Sequence, residues 1–260
     1  MRSFGFAGLL SATLLTAPAF AADVVAPMAP EAVPVESGGW TFTVAPYFWA
    51  AGISGDIAQF GAPEVHIDQK FGDILSDLDF AAMVIGEARY DRFSLFGDVI
   101  YAKISTDSAT PRGIVAETVG LTTSTFIGTA GAGYSILKSD QGYLDIVGAV
   151  RVWSVDTDLS FSGGLLNGLD VSESQAWVDG LVGARGVFNF TPKIYLTGWG
   201  MVGAGGADID WDVAAGLGYH FNDTWSAVLG YRALGVDYTN DDFVYDIVEQ
   251  GPILGVVARF

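Results

Sequence analysis

The sequence predicts an all-β protein: a transmembrane, antiparallel, up-and-down β-barrel of ten strands, with eight or twelve as the alternatives. Three observations lead there. From Trp40 to Phe260, runs of residues alternate apolar with small or polar, the period of strands with two unlike faces. The connections between these runs are short and long by turns. Beyond the N-terminus no stretch of about 18 apolar residues is free of charges, although 50% of the chain is hydrophobic. A backbone that spans a bilayer must satisfy its hydrogen bonds internally. Without a spanning helix, the remaining solution is a closed barrel.

Composition narrows the function classes. Lys and Arg number 12 against 30 Asp and Glu, a formal net charge of −18. Nucleic acid is excluded as a partner, because its phosphates need Lys and Arg. A polybasic lipid anchor is excluded for the same reason. The chain has no Cys, which removes disulfides, thiolate metal sites and Cys nucleophiles.

Residues 1–21 read as a cleavable secretory signal peptide. Arg2 supplies the charge, Phe4 to Leu15 the apolar core, and Ala19-Phe20-Ala21 the small-x-small cleavage site. Residues 22–38 carry Pro27, Pro30 and Pro34 and no strand pattern, so they form an Ala/Pro-rich linker. The barrel occupies 39–260. Its ten strands are expected at 40–57, 80–90, 93–104, 119–137, 143–161, 171–190, 194–204, 208–221, 225–238 and 243–260. Each reaches or exceeds the roughly 9–11 residues that a tilted strand needs to cross a bilayer.

The eighth strand states the pattern most clearly. Ile209, Trp211, Val213, Ala215, Leu217, Tyr219 and Phe221 share one face; Asp210, Asp212, Ala214, Gly216, Gly218 and His220 share the other. The first face is apolar with aromatics at both ends, as a lipid face bordered by two interfaces requires. The fourth strand repeats it, with Phe126, Ala130, Ala132 and Tyr134 against Ile127, Thr129, Gly131 and Gly133. The ninth begins with Trp225, Ala227, Leu229 and Tyr231 outward and Arg232 inward, then loses alternation near Ala233, where a bulge is expected. Pro46 and Pro252 are awkward inside a ladder, since neither can donate.

Short joints fall at 91–92, 138–142, 191–193 and 222–224. Longer loops are expected at 58–79, 105–118 and 162–170. The first of these admits a short helix or plug over 71–78, or one more hairpin. An even number of strands puts both ends of the barrel on the short-turn side. The last strand ends in Pro252, Leu254, Val256, Ala258 and Phe260 on one face. That strand, closing on a terminal aromatic, resembles the C-terminal strand of Gram-negative outer-membrane β-barrels. Together with the Gly-Tyr-Arg and Gly-Pro-Ile-Leu-Gly segments, the chain resembles small, porin-like outer-membrane proteins. The resemblance implies an outer-membrane location, short turns facing the periplasm, and an insertion signal made of Leu254, Val256, Ala258 and Phe260 that the barrel-assembly machinery reads.

Charges recur at inward positions: Glu87, Arg89, Asp98, Asp145, Arg151, Asp179, Arg185, Asp212 and Arg232. A ten-stranded lumen is barely wider than its own side chains, and a buried charge must be paired. These nine are therefore expected to form a charge network that closes the lumen, in a barrel with a structural or surface role. The competing reading is a narrow, porin-like channel for small, cationic solutes. An outer-membrane enzyme acting on lipid or peptide is a more distant one. It needs a His beside an acid or a Ser nucleophile at the outer rim. His220 lies at the opposite end, and His66 has no Ser partner, so no enzyme and no catalytic residue is expected. Acids crowd the long-loop end, among them Asp68, Asp73, Asp107 and Asp241. They read as a solvated rim, with divalent cations as a possible bridge to lipopolysaccharide. No cofactor or metal site is expected, and the barrel is expected to be a monomer in outer-membrane lipid.

Overall fold

The computed structural model describes residues 39–110 and 116–260. The expected signal peptide (1–21) and linker (22–38) lie outside the described residues. The elements are β1 (Thr41–Trp49), β2 (Gly52–Ala58), β3 (Val65–Gln69), α1 (Phe71–Asp77), β4 (Leu78–Tyr90), β5 (Phe93–Ala109) and β6 (Thr118–Ser139). They continue with β7 (Gly142–Ser162), β8 (Asp170–Asn189), β9 (Ile194–Gly205), β10 (Ile209–His220), β11 (Trp225–Asn240) and β12 (Phe243–Arg259). From β4 to β12 every strand pairs antiparallel with its neighbour in sequence, and β1 pairs with both β4 and β12. The ladder therefore closes into a ten-stranded, up-and-down barrel. Among the described residues no helix is long and apolar enough to cross a membrane.

The first predicted strand, 40–57, is two strands in unbroken register. Trp49 sits opposite Ile253 and Gly52 opposite Gln250, so β1 and β2 follow one line along β12. The break at Ala50–Ala51 faces Pro252. The Ala50 N–H reaches the Pro252 carbonyl at 2.9 Å, but proline has no N–H to return. Gly251 makes the close approach possible, since a Cβ there would stand 2.0 Å from the Ala50 carbonyl. The segment 58–79 contains both features the sequence admitted. β3 pairs with β2 as an extra hairpin, and α1 leads into β4. The sheet thus has twelve strands, of which ten make the wall.

The expected bulge near Ala233 is absent. β11 stays in register with β10 and β12 along its whole length. Alternation fades there because the inward residues, Leu234, Val236 and Tyr238, are as apolar as a lipid face and fully buried. Register shifts fall instead between Leu78 and Phe80, and between Ser135 and Leu137.

Seen from outside, the wall is apolar: Val182 is 65% exposed, Leu229 64% and Leu254 55%. Aromatic pairs border this band at the short-turn end, such as Trp40–Tyr90 at 5.4 Å and Phe93–Tyr134 at 5.2 Å. Phe80 and Tyr101 do so at the long-loop end, 6.0 Å apart. No water-exposed sheet would keep such a face, whereas hydrocarbon requires it.

The inside is layered. Its long-loop half is a packed apolar core built from facing strands. Trp177 of β8 stacks on Tyr238 of β11 at 4.0 Å and on Trp153 of β7 at 5.5 Å, with Phe243, Tyr245 and Ile247 of β12 completing it. The tip of the β2–β3 hairpin reaches over this core, where the Phe60 N–H donates to Glu173 of β8. Asn240 likewise donates across to Gln175 at 3.3 Å.

This layering predicts opposite outcomes at adjacent residues. Trp177→Ala empties the core and should cost about 3–5 kcal/mol. Val178→Ala trims a lipid-facing side chain and should cost less than about 1 kcal/mol. Loss of the compact, heat-modifiable gel band with temperature measures both.

Candidate functional site: the charged lumen

Strand alternation, carried around the barrel by register, turns all nine predicted charges inward. Ser135, Asp145 and Arg185 stand side by side on β6, β7 and β8, and so do Thr129, Arg151 and Asp179. Asp98 pairs with Ile85, and Arg232 with Ala214. The charges divide into two tiers.

The middle tier centres on Asp212 of β10. Its neighbour Arg232 on β11 donates from Nε to Oδ1 at 3.1 Å and from Nη2 to Oδ2 at 2.7 Å. Arg151, from β7 across the lumen, donates from Nη2 to the same Oδ2 at 2.7 Å. Trp199 adds its indole N–H at 2.9 Å. The other arm of Arg151 holds Asp210 at 2.6 Å, and Asp210 also accepts from Trp153 at 2.9 Å. Arg232 reaches Asp98 on β5 at 2.8 Å and donates to the Tyr47 hydroxyl at 2.7 Å. Tyr47 in turn donates to Asp98 at 2.9 Å. Thr129 accepts the Arg151 Nε–H at 2.9 Å. Arg151, Asp210 and Asp212 are completely buried. Ions sealed this way cost several kcal/mol each unless their partners are well placed. Here every nitrogen of both guanidiniums has an acceptor.

The second tier lies nearer the short turns. Arg89 forks onto Asp145 at 2.5 and 3.3 Å and holds Glu87 at 3.0 Å. Ser135 and Ser94 donate to Asp145 at 2.6 and 3.1 Å. The Arg89 guanidinium also lies over the Tyr143 ring, 3.7 Å from its centre. Arg185 approaches Glu87 across the lumen at 2.6 Å. At the rim itself, Lys138 donates to Asp91 at 2.8 Å, and that contact holds the Asp91 carboxyl below the usual carboxylate range.

Asp179 departs from the expectation. It stands directly opposite Arg151 on the adjacent strand, yet makes no ion pair with it. The guanidinium turns across the lumen to Asp210 and Asp212. Asp179 Oδ1 instead accepts the Ala207 N–H at 2.9 Å, which fastens the β9–β10 connection. Its Oδ2, buried, has no hydrogen-bond partner among the described residues. Sequence reading put Asp210 and Thr129 on inward faces without assigning them to the network, and missed Tyr47, Trp153, Trp199 and a further inward carboxylate, Glu249, opposite Leu234. Inward alternation marks Asp210 and Glu249; nothing in the sequence marks the others as partners of charges.

The residues expected to form an insertion signal lie on the outer face of β12 and just past its end. Leu254, Val256 and Phe260 are exposed, and Ala258 is covered at its place opposite Trp225. His66 pairs with Asp56 at 2.7 Å on the β2–β3 hairpin, and His220 stacks on Tyr195 at 4.4 Å. Among the described residues no group of three or more His, Cys, Asp or Glu is placed to hold a metal.

A closed wall, apolar and aromatic-bordered outside and charge-paired inside, defines a small transmembrane β-barrel of the outer-membrane kind. No protein-family model matches the sequence, and no curated protein does. Three similar solved structures are barrels of this kind. The outer membrane protease OmpT of Escherichia coli is 9% identical, with 85% of this chain and 96% of that one covered and a TM-score of 0.49. Ail, the attachment invasion locus protein of Yersinia pestis, is 12% identical, covering 85% and 99% with a TM-score of 0.38. Neisserial surface protein A is also 12% identical, covering 85% and 99% with a TM-score of 0.36. At such identities these structures say nothing of what this chain binds or does.

Two aspartates separate structural from dispensable charge. Asp212→Asn removes the charge that two buried arginines share and should cost about 3–5 kcal/mol. Asp179→Asn keeps the Oδ1 acceptor and should stay within about 1 kcal/mol of the parent. Urea unfolding in detergent, followed by tryptophan fluorescence, distinguishes them.

Proposed function

We propose that this chain is an integral outer-membrane barrel with a structural or surface role, whose lumen passes no solute. The observation that carries this reading is the lumen's filling. A packed apolar core occupies one half, sealed ion pairs occupy the middle, and a hairpin tip crosses the mouth. Water-filled channels need a continuous polar path, and the apolar core interrupts it. The chain reaches the membrane through a cleaved signal peptide. Its short turns face the periplasm, and the assembly machinery recognises the outer face of β12 through Leu254, Val256, Ala258 and Phe260. The acidic long-loop end faces outward, where divalent cations bridge it to lipopolysaccharide phosphates. The barrel works as a monomer and not as an enzyme. His220 stacks on Tyr195 at the short-turn end, and among the described residues no serine hydroxyl hydrogen-bonds His66, which is paired with Asp56.

Planar-bilayer recording tests the closed lumen. The parent protein should stay silent, and steady conductance above background would restore the narrow channel as the better reading. Removing Phe260 should lower the amount of heat-modifiable barrel recovered from outer membranes severalfold. Unchanged recovery would contradict the role given to the terminal strand.

A further inference from the structure

The lumen is hollow at its short-turn end. A cavity of about 410 Å³ opens there. Tyr47 and Trp199 form its floor, since each reaches past it to hydrogen-bond the middle tier. Tyr143, Tyr195, Thr197 and Arg185 contribute to its walls. The space exists because facing inward positions are small, with Ala45 on β1, Ala214 and Gly216 on β10, and Gly255 on β12.

Two features give this cavity a chemistry. The first is charge. Its lining carries the cations Arg89, Lys138, Arg185 and Arg259 beside Glu87 and Asp140, with Arg89 and Lys138 already tied to Asp145 and Asp91. The second is an uncommitted guanidinium. Arg89, Arg151 and Arg232 each use Nε, Nη1 and Nη2 on protein acceptors. Arg185 differs: its ion pair with Glu87, through Nη2, is its polar contact among the described residues. Its Cζ lies over the Phe96 ring, 4.6 Å from the ring centre, which restrains it. Its side chain remains 17% exposed. A restrained guanidinium with free N–H groups at a cavity wall is a fork for a carboxylate. The volume falls within the roughly 300–1,000 Å³ of small-molecule sites, and aromatic walls suit a flat apolar body.

We propose that this cavity binds a small aromatic monocarboxylate. Its carboxylate is held by the free N–H groups of Arg185, and its ring lies against Trp199, Tyr143 and Tyr195. One free guanidinium calls for one anionic group. The inference rests on the closed lumen proposed above, because a floor is what makes this space a site and not a passage.

Benzoate titrated calorimetrically into the detergent-solubilised barrel tests it, with benzyl alcohol as the neutral counterpart. Benzoate should bind one to one, and benzyl alcohol at least about tenfold more weakly, as the loss of a charge-assisted contact implies. Arg185→Gln should weaken benzoate at least about tenfold and leave benzyl alcohol unchanged. Gly255→Leu fills the cavity from β12 without touching a charge, where a Cβ meets Tyr47 at 3.4 Å; it should abolish binding of both. If Arg185→Gln does not fold, the alcohol comparison and Gly255→Leu still decide. Absence of binding to the folded parent, equal affinity for acid and alcohol, or benzoate binding indifferent to both substitutions would overturn the proposal. Bilayer recording keeps the two readings apart. A silent barrel that binds no benzoate overturns the site alone. A conducting barrel that binds benzoate through Arg185 supports the site and overturns the closure.

Discussion

The interior depends on one shared carboxylate. Asp212 receives Arg232 from the adjacent strand, Arg151 from across the lumen and the indole of Trp199. Through those two arginines it ties β10 to β11, β7 and β5. A ten-stranded wall is held by its ladder, but the ladder alone leaves a tube. Bonds that cross the tube make it a solid body. In the low dielectric of a buried tier such bonds are strong, and leaving any partner alone is costly. That dependence explains why tyrosine, threonine and tryptophan donors and acceptors crowd around the ions.

From this tier outward the two halves of the lumen differ because their inward side chains differ. Toward the long loops most inward residues of β7, β8, β11 and β12 are large and apolar, Glu249 and Thr157 excepted, and they meet in the stack of Trp153, Trp177 and Tyr238. Toward the short turns the inward residues of β10 are Ala214, Gly216 and Gly218. Tyr195 occupies the space over Gly218, where a Cβ would stand 2.1 Å from its ring. Enough volume remains beside it for the cavity. One end is thus solid and the other concave, with the ion tier as the partition between them.

The wall was legible in the sequence because its period is local. Alternation in β6 and β10 requires no knowledge of neighbours, and the ten strands follow from it. What failed did so for identifiable reasons. Above Arg232 the inward residues of β11 are large and apolar while the outward ones are Ala233, Gly235, Asp237 and Thr239, so the polarity of the two faces inverts and a regular strand looks irregular. β3, Val65–Gln69, is five residues long and mostly exposed, which leaves no amphipathic signature. Inward positions of the charges were likewise local and readable. Their partners were not, because contacts across a lumen join residues with no fixed spacing in sequence. Arg151 shows this: register offers Asp179, the geometry of the tube offers Asp210 and Asp212, and the second wins.

One end of the lumen is open to water and the other is packed against it. The absence of native Cys makes this directly measurable. Single cysteines placed at Thr197 and at Leu234 would both face inward, the first in the cavity and the second in the apolar core. A charged, water-soluble maleimide should label the folded barrel readily at Thr197→Cys. It should leave Leu234→Cys unlabelled until the barrel is heated past the loss of its compact band. Comparable labelling of both in the folded state would contradict the account.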